Sequence, residues 1–169
     1  QAAGLAWWYG LGQFGFGAYW IFVSIHTFGK VILPLALLLT CAFILFMALF
    51  PALLGWLWAR GRPRIAHPVG AMGLFVALWV LLEWVRGWFL TGFPWLLLGY
   101  SQIDTPLAGW GKLLGVYGIS LAVMLSMAVL ASWRDTALRG RVFGLGLLVG
   151  LWGGGLLLQH WGWTEVRGR

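Results

Sequence analysis

The chain consists of five long apolar runs separated by short polar segments. Each run is continuously apolar rather than alternating, which is typical of helices that cross a lipid bilayer and not of membrane β-strands. About 20 helical residues are needed to span roughly 30 Å of hydrocarbon, and every run is close to or above that length. The pattern predicts membrane-spanning helices at about residues 7–25, 31–58, 69–90, 113–133 and 142–160.

The composition excludes a water-soluble fold. Hydrophobic residues make up 62% of the 169 residues and charged residues only 9%, whereas about 25% charged residues is usual for a soluble domain. Too few polar side chains are present to cover a surface that faces water. We therefore expect an all-α, polytopic transmembrane helical bundle, with residues 1–169 forming one membrane domain.

The formal charge of +7 is concentrated between the runs. Three arginines lie in Arg60–Arg64 and three in Arg134–Arg141, whereas the alternate connections contain Lys30 and Lys112. The positive-inside rule places both arginine segments in the cytoplasm and residues 91–112 on the outer side. Charges divided among short loops do not form the continuous basic patch that nucleic-acid binding requires. We expect contact with the lipid bilayer and no contact with nucleic acid.

Two charged residues, Glu83 and Arg86, lie inside the third run. Their spacing of three places both side chains on the same side of a helix. A charge at membrane depth costs at least about 2.5–3.5 kcal/mol, so it needs a partner or a wet cavity. One interpretation is that they contact a lipid headgroup or brace the following loop. The other is a structural ion pair that locks two helices, and the sequence leaves both open.

The loop that follows is unusually apolar. Residues 91–106 are too apolar for a solvated linker, and the stretch between Pro94 and Pro106 is too short for another span. This predicts an interfacial or re-entrant segment, with aromatic side chains at headgroup depth. The alternative is an anchoring loop without a ligand. The candidate residues for lipid access or for support of this loop are Glu83, Arg86, Trp88, Phe93, Pro94, Trp95, Tyr100, Gln102 and His26.

Apart from His26, the sequence offers no candidate catalytic group, and it offers no metal or cofactor site. Cys41, the single cysteine, lies in the middle of the second run, where apolar surroundings keep a thiol protonated and unreactive. His26 either hydrogen-bonds at the interface or takes part in catalysis. No His, Cys and carboxylate residues have metal-ligand spacing, so we expect no metal and no cofactor. Gly146, Gly150 and Gly154 predict a face for close helix packing.

Three stretches of the chain resemble the membrane domain of bacterial apolipoprotein N-acyltransferases. The longest is residues 83–104, EWVRGWFLTGFPWLLLGYSQID. It is flanked by residues 15–29, GFGAYWIFVSIHTFG, and residues 106–118, PLAGWGKLLGVYG. The similarity covers nearly the whole chain in the same order.

The resemblance implies a multi-pass enzyme of the bacterial inner membrane, with residues 91–112 facing the periplasm. Members of the family transfer an acyl chain from a phospholipid to the N-terminal diacylglyceryl-cysteine of an apolipoprotein. They form a thioester on a Glu–Lys–Cys triad in a periplasmic nitrilase-like domain. We find no counterpart of that triad here, since Cys41 does not match it, and the resemblance places the nitrilase-like domain after residue 169.

On this resemblance the chain anchors the enzyme, shapes lipid access and is inactive alone. Phospholipid is then the acyl donor and the diacylated apolipoprotein the acceptor. The alternative is a non-catalytic polytopic scaffold, or a lipid-binding or transporter-like bundle. Against transport, the chain shows no inverted repeat and no pair of broken helices at matched positions.

Overall fold

The computed structural model describes residues 1–162, and all regular structure in this range is helical. This confirms the predicted all-α membrane bundle. The end of the predicted domain at residue 169, with Arg167 and Arg169, lies outside the described residues. The α-helices are α1 (Ala2–Gly17), α2 (Trp20–Val23), α3 (Leu33–Gly61), α4 (Pro68–Arg86), α5 (Gly111–Ser132) and α6 (Leu138–His160).

Four helical segments in the described range are long and apolar enough to cross a membrane. They are Leu33–Arg64, Pro68–Arg86, Pro106–Ser132 and Leu138–His160, where the first and third include short 3-10 extensions of α3 and α5. Most of their surface is not covered by protein, and leucine, valine and tryptophan side chains are exposed along them. Such a surface is stable only in contact with lipid.

The first apolar run differs from the single helix expected at 7–25. Helix α1 ends at Gly17, and the chain continues through α2 into a π-helical turn at Ser24–Phe28. Sixteen residues of α1 extend about 24 Å, which is less than the hydrocarbon thickness. Gly15 and Gly17 weaken helix propensity where α1 ends.

The other runs form helices with shifted bounds. Helix α3 continues through Pro51 to Gly61, and α6 begins four residues before the predicted start at 142. Helix α4 ends at Arg86 rather than near residue 90. It does not reach residue 90 because Trp88, with φ of −134°, leaves the helical region, and Leu90, Thr91 and Gly92 have positive φ angles, which a right-handed helix does not contain.

The chain divides into two compact units, Gln1–Ile65 and Ala66 onward. In the first unit α1 packs along α3 through small residues. A Cβ atom on Gly10 would lie 2.9 Å from the Cα of Ala48, and one on Gly55 would lie 2.7 Å from the carbonyl oxygen of Ala2. Glycine at these positions therefore lets the two helix backbones approach closely.

The second unit contains α4, α5, α6 and residues 87–110, which join α4 to α5 and are called the connecting segment below. This segment includes three 3-10 turns, Phe89–Thr91, Leu98–Gln102 and Pro106–Trp110. Its Leu107 is 1% exposed and packs with Ile119, Ala122 and Val123 of α5 in the core of the unit. The connecting segment is thus part of the packed structure and not a solvated loop.

Candidate functional site

The site is built at the end of α4, where two charged residues are buried. Glu83 is 6% exposed and Arg86 is 4% exposed. A charged side chain is retained at such a position only if hydrogen bonds replace its water shell. Both side chains hydrogen-bond to the connecting segment.

Arg86 holds the first half of the connecting segment through main-chain carbonyl groups. Its Nη1 donates to the carbonyl oxygens of Phe93, at 3.3 Å, and of Trp95. Its Nη2 donates to the carbonyl oxygen of Leu96 at 3.5 Å. The carbonyl of Arg86 itself accepts from the Phe93 N–H at 2.8 Å. The planar guanidinium suits this role because its five donors diverge in fixed directions.

Glu83 holds the second half of the segment through a main-chain N–H group. Its Oε1 accepts from the Leu98 N–H at 2.7 Å, and Leu98 begins the 3-10 turn Leu98–Gln102. The next N–H of that turn, on Gly99, donates to Oγ of Ser120 on α5 at 2.8 Å. The first N–H groups of a helical turn have no partner within the turn, and here α4 and α5 each supply one.

The second carboxylate oxygen of Glu83 has a different environment. Within the described residues, Oε2 is buried and has no hydrogen-bond partner. A buried carboxylate oxygen is ordinarily satisfied by hydrogen bonds, because water cannot reach it. This oxygen is the exception in a site whose other polar groups are engaged.

The segment held by Arg86 has a strained backbone. Leu90, Thr91 and Leu96 have φ angles of 49°, 76° and 58°, which is uncommon for residues with a side chain. Gly92 has φ of 81°, and a Cβ there would overlap the carbonyl oxygen of Gly87. Such strain persists only where surrounding bonds impose it, and it concentrates at functional sites.

The predicted aromatic residues lie on the outer surface of the segment. Trp88, Trp95 and Tyr100 are each about half exposed, at 54%, 51% and 51%. Trp88 also makes an edge contact with Trp84, with ring centroids 5.4 Å apart. Pro94 is exposed and Phe93 is half-buried. Exposed aromatic rings of this kind anchor a surface at the depth of lipid headgroups.

The second half of the segment is fixed by polar residues that sequence reasoning did not single out. Gln159 of α6 donates to the carbonyl of Thr105 at 2.6 Å, and Trp110 Nε1 donates to the carbonyl of Leu151 at 2.8 Å. Gln102, which was predicted, stays within the segment, where its Oε1 accepts from the Thr105 hydroxyl at 3.2 Å. The sequence feature that could have identified Gln159 is its position as a polar residue near the end of an apolar run.

His26 lies in the first unit, in the π-helical turn Ser24–Phe28. Its Nδ1 donates to the carbonyl of Val31 at 2.8 Å, and its ring stacks on Phe22 with centroids 5.4 Å apart. These contacts fix the turn between α2 and α3. Among residues 1–162, no three His, Cys, Asp or Glu side chains are grouped closely enough to hold a metal ion.

These features define a class of protein. It is a helical membrane domain in which a non-spanning aromatic segment is held at the end of a helix by a buried glutamate and arginine. The sequence model described as the apolipoprotein N-acyltransferase N-terminal domain matches residues 1–129. The chain belongs to this family, and the resemblance noted from the sequence is confirmed.

Curated relatives agree with this assignment. The chain is 47% identical over 164 residues to the apolipoprotein N-acyltransferase of Pseudomonas aeruginosa strain LESB58, covering 96% of this chain and 32% of that protein. The enzyme of the same name from Azotobacter vinelandii is 47% identical over 167 residues, with 96% and 32% covered. That of Nitrosomonas europaea is 45% identical over 174 residues, with 99% and 33% covered. The chain therefore spans about a third of the length of these relatives.

Proposed function

We propose that the chain is the membrane part of an apolipoprotein N-acyltransferase in the bacterial inner membrane. The arginine segments 60–64 and 134–141 face the cytoplasm, as the positive-inside rule predicts. Residues 91–112 face the periplasm. The whole enzyme transfers an acyl chain from a phospholipid to the N-terminal diacylglyceryl-cysteine of an apolipoprotein.

The contribution of this chain to the reaction is to anchor the enzyme and to shape the approach of lipid. The observation that carries this proposal is the binding of the connecting segment by Arg86, whose guanidinium donates to three of its carbonyl groups. A rigid, non-spanning segment with half-exposed Trp88, Trp95 and Tyr100 gives headgroups and acyl chains a fixed wall. Preorganisation of this kind lowers the entropic cost of orienting a flexible lipid.

The covalent chemistry is assigned to groups that this chain does not supply. Acyl transfer through a thioester requires an activated thiolate and oxyanion stabilisation. Cys41, the single cysteine, is on the exposed surface of α3 within a membrane-spanning segment. We expect the 169 residues alone not to acylate a diacylated lipopeptide in phospholipid vesicles. Acyl transfer by the purified chain would contradict this.

The role of Arg86 is tested in a chimera. The 169 residues replace the matching third of the Pseudomonas aeruginosa relative, and acyl transfer from phospholipid to a diacylated lipopeptide is measured in membranes. Arg86→Ala is expected to lower acyl transfer at least about tenfold, and by more than it lowers the protein level, because carbonyl groups of the segment lose a charged donor, worth about 1.5–3 kcal/mol per bond. Arg62→Ala, which removes an exposed arginine, serves as the control.

The outcomes separate the candidate functions. Parallel losses of protein and of acyl transfer in Arg86→Ala would restrict Arg86 to structural stability. A chimera that is present at a normal level but transfers no acyl chain would favour the alternative, a non-catalytic polytopic scaffold.

A further inference from the structure

A second feature lies in the second unit, at the opposite end of α4 from Arg86. The first half of α4, the last turns of α5 and the first turns of α6 enclose a cleft of about 270 Å³. Its wall includes Val69, Met72 and Gly73 from α4, Val129 from α5 and Leu147 from α6. The wall of the cleft is mostly apolar.

The hydroxyl groups in the cleft wall are already engaged with the backbone. Ser132 Oγ donates to the carbonyl of Ala128 at 2.8 Å, and Thr136 Oγ1 donates to the carbonyl of Ser132 at 2.6 Å. An apolar occupant that displaces water from the cleft therefore leaves neither hydroxyl group without a hydrogen bond.

A second apolar depression adjoins the same tryptophan. This more open groove has a volume of about 540 Å³ and is lined by Leu130, Leu145 and Leu148 together with Trp133 and Arg134. Trp133 also lines the cleft, so two apolar depressions border one side chain. That arrangement matches the two acyl chains of a phospholipid.

The connection between α5 and α6 adds positive charge beside both depressions. Arg141 lines the cleft, and its Nε donates to the carbonyls of Trp133 and Thr136 at 3.1 Å and 2.9 Å, which fixes the guanidinium at the end of α5. Arg134 and Arg139 are exposed. Asp135 is the only acidic residue in 134–141, so the connection has a net charge of +2. Basic pockets between membrane helices are characteristic sites for anionic lipid headgroups.

We propose that α4, α5 and α6 form a binding site for an anionic diacyl phospholipid, with one acyl chain in the cleft, the other in the groove beside Trp133, and the headgroup on the arginines of residues 134–141. The site is separate from the connecting segment and does not depend on acyl transfer. Its lipid is a resident ligand of the membrane domain.

The proposal is tested by native mass spectrometry of the delipidated 169-residue chain, titrated with phosphatidylglycerol or with phosphatidylcholine of the same acyl chains. We expect at least about tenfold tighter binding of one phosphatidylglycerol, since each arginine near an anionic group contributes to affinity. Equal affinity for the two lipids would overturn the proposal.

The cleft is tested by filling it. A Cβ on Gly73 would meet nothing within 4 Å, so Gly73→Leu places its side chain into the cleft without a backbone clash and raises helix propensity. It is expected to weaken phosphatidylglycerol binding at least about tenfold. Gly150→Leu is the matched control, because Gly150 also has open space around it and does not line the cleft. Ala128→Leu fills the cleft from α5 and decides the result if Gly73→Leu fails to fold.

The headgroup contacts are tested by charge removal. Arg134→Gln combined with Arg139→Gln is expected to weaken phosphatidylglycerol binding about tenfold to thirtyfold and to leave phosphatidylcholine binding unchanged. Arg62→Gln combined with Arg64→Gln removes the same charge from the other arginine segment and serves as the control. Unchanged binding in folded cleft-filling variants, or equal losses in the two charge variants, would overturn the proposal.

Discussion

At the scale of the residue, Glu83 and Arg86 are notable for bonding to the main chain of a neighbouring segment. Arg86 donates to carbonyl groups, and Glu83 accepts from the N–H of Leu98. Both groups are buried within an apolar helix, so each hydrogen bond lost leaves a polar group without water to replace it. The penalty for one unsatisfied buried group is about 1–3 kcal/mol.

The two carboxylate oxygens of Glu83 differ in their hydrogen bonds, so substitutions at this position test which oxygen stabilises the fold. Glu83→Gln keeps a carbonyl oxygen for the Leu98 N–H, and Oε2 accepts no bond from any described residue. We expect Glu83→Gln, which keeps this acceptor, to lower the free energy of unfolding by less than Glu83→Ala, which is expected to lower it by about 2 kcal/mol. The measurement is denaturant unfolding in detergent, together with hydrogen exchange of the Leu98 amide, which is expected to accelerate only in Glu83→Ala.

A suitable control is Asp104→Asn, which changes an exposed carboxylate in the same segment. If Glu83→Gln proved as destabilising as Glu83→Ala, the negative charge itself would be required. The conclusion that Glu83 stabilises the fold through the hydrogen bond from the Leu98 N–H to Oε1 would then be wrong.

At the scale of the element, the connecting segment is held by close backbone contact with α6. A Cβ on Gly109 would overlap the carbonyl oxygen of Gly155, and one on Gly155 would overlap that of Pro106. The side chain of Lys112 adds bonds to the carbonyls of Gln159 and Trp161 at 2.8 Å and 3.0 Å. The 3-10 turn Pro106–Trp110 therefore lies directly on the backbone of α6.

This contact predicts opposite effects for glycines within one helix. Gly155→Ala is expected to lower the free energy of unfolding by about 1–3 kcal/mol, because the added methyl group has no space. Gly146→Ala is the matched control, since a Cβ there meets nothing within 4 Å. It is expected to be neutral or to stabilise by up to about 1 kcal/mol through helix propensity. The measurement is thermal unfolding in detergent, and equal effects of the two substitutions would contradict the packing described.

The same glycines show what the sequence predicted of these elements and what it did not. Continuous apolar runs were sufficient to identify α3 to α6, because lipid requires long helices whose backbone groups are paired internally. The spacing of Gly146, Gly150 and Gly154 predicted the packing face. Gly154 does pack, since a Cβ there would lie 3.1 Å from the Trp110 ring, but Gly146 and Gly150 face open space and the close backbone contact is at Gly155. Glycine spacing identifies a helix face on which close packing is possible, but it does not identify the element that packs there.

The connecting segment marks a second limit of the sequence. Two charges inside an apolar run predicted that Glu83 and Arg86 need partners. Their partners are main-chain groups of a segment with positive φ angles at Leu90, Thr91 and Leu96, which no periodicity describes. Ser120 supplies a hydrogen bond to that segment, and a lone hydroxyl in an apolar run resembles the many serines that bond only within their own helix.

At the scale of the whole molecule, the proposed function requires a defined orientation in the membrane. The family assignment rests on residues 1–129, and the chain spans about a third of its relatives' length. The direction in which the chain crosses the bilayer comes from the arginine segments. If the orientation were reversed, the aromatic residues of the connecting segment would face the cytoplasm, and the proposed approach of lipid on the periplasmic side would fail.

Orientation is tested with single cysteines in a Cys41→Ser background, which removes the chain's one native thiol. Ser101→Cys reports on the exposed 3-10 turn of the connecting segment, and Arg62→Cys reports on the first arginine segment. In intact spheroplasts, a membrane-impermeant maleimide is expected to label Ser101→Cys and to label Arg62→Cys only after the membrane is opened. Loops rich in arginine are retained in the cytoplasm, so the arginines of residues 60–64 favour a cytoplasmic location for this segment. Labelling of Arg62→Cys in sealed spheroplasts would reverse the topology, and with it the proposed assignment of residues 91–112 to the periplasmic side.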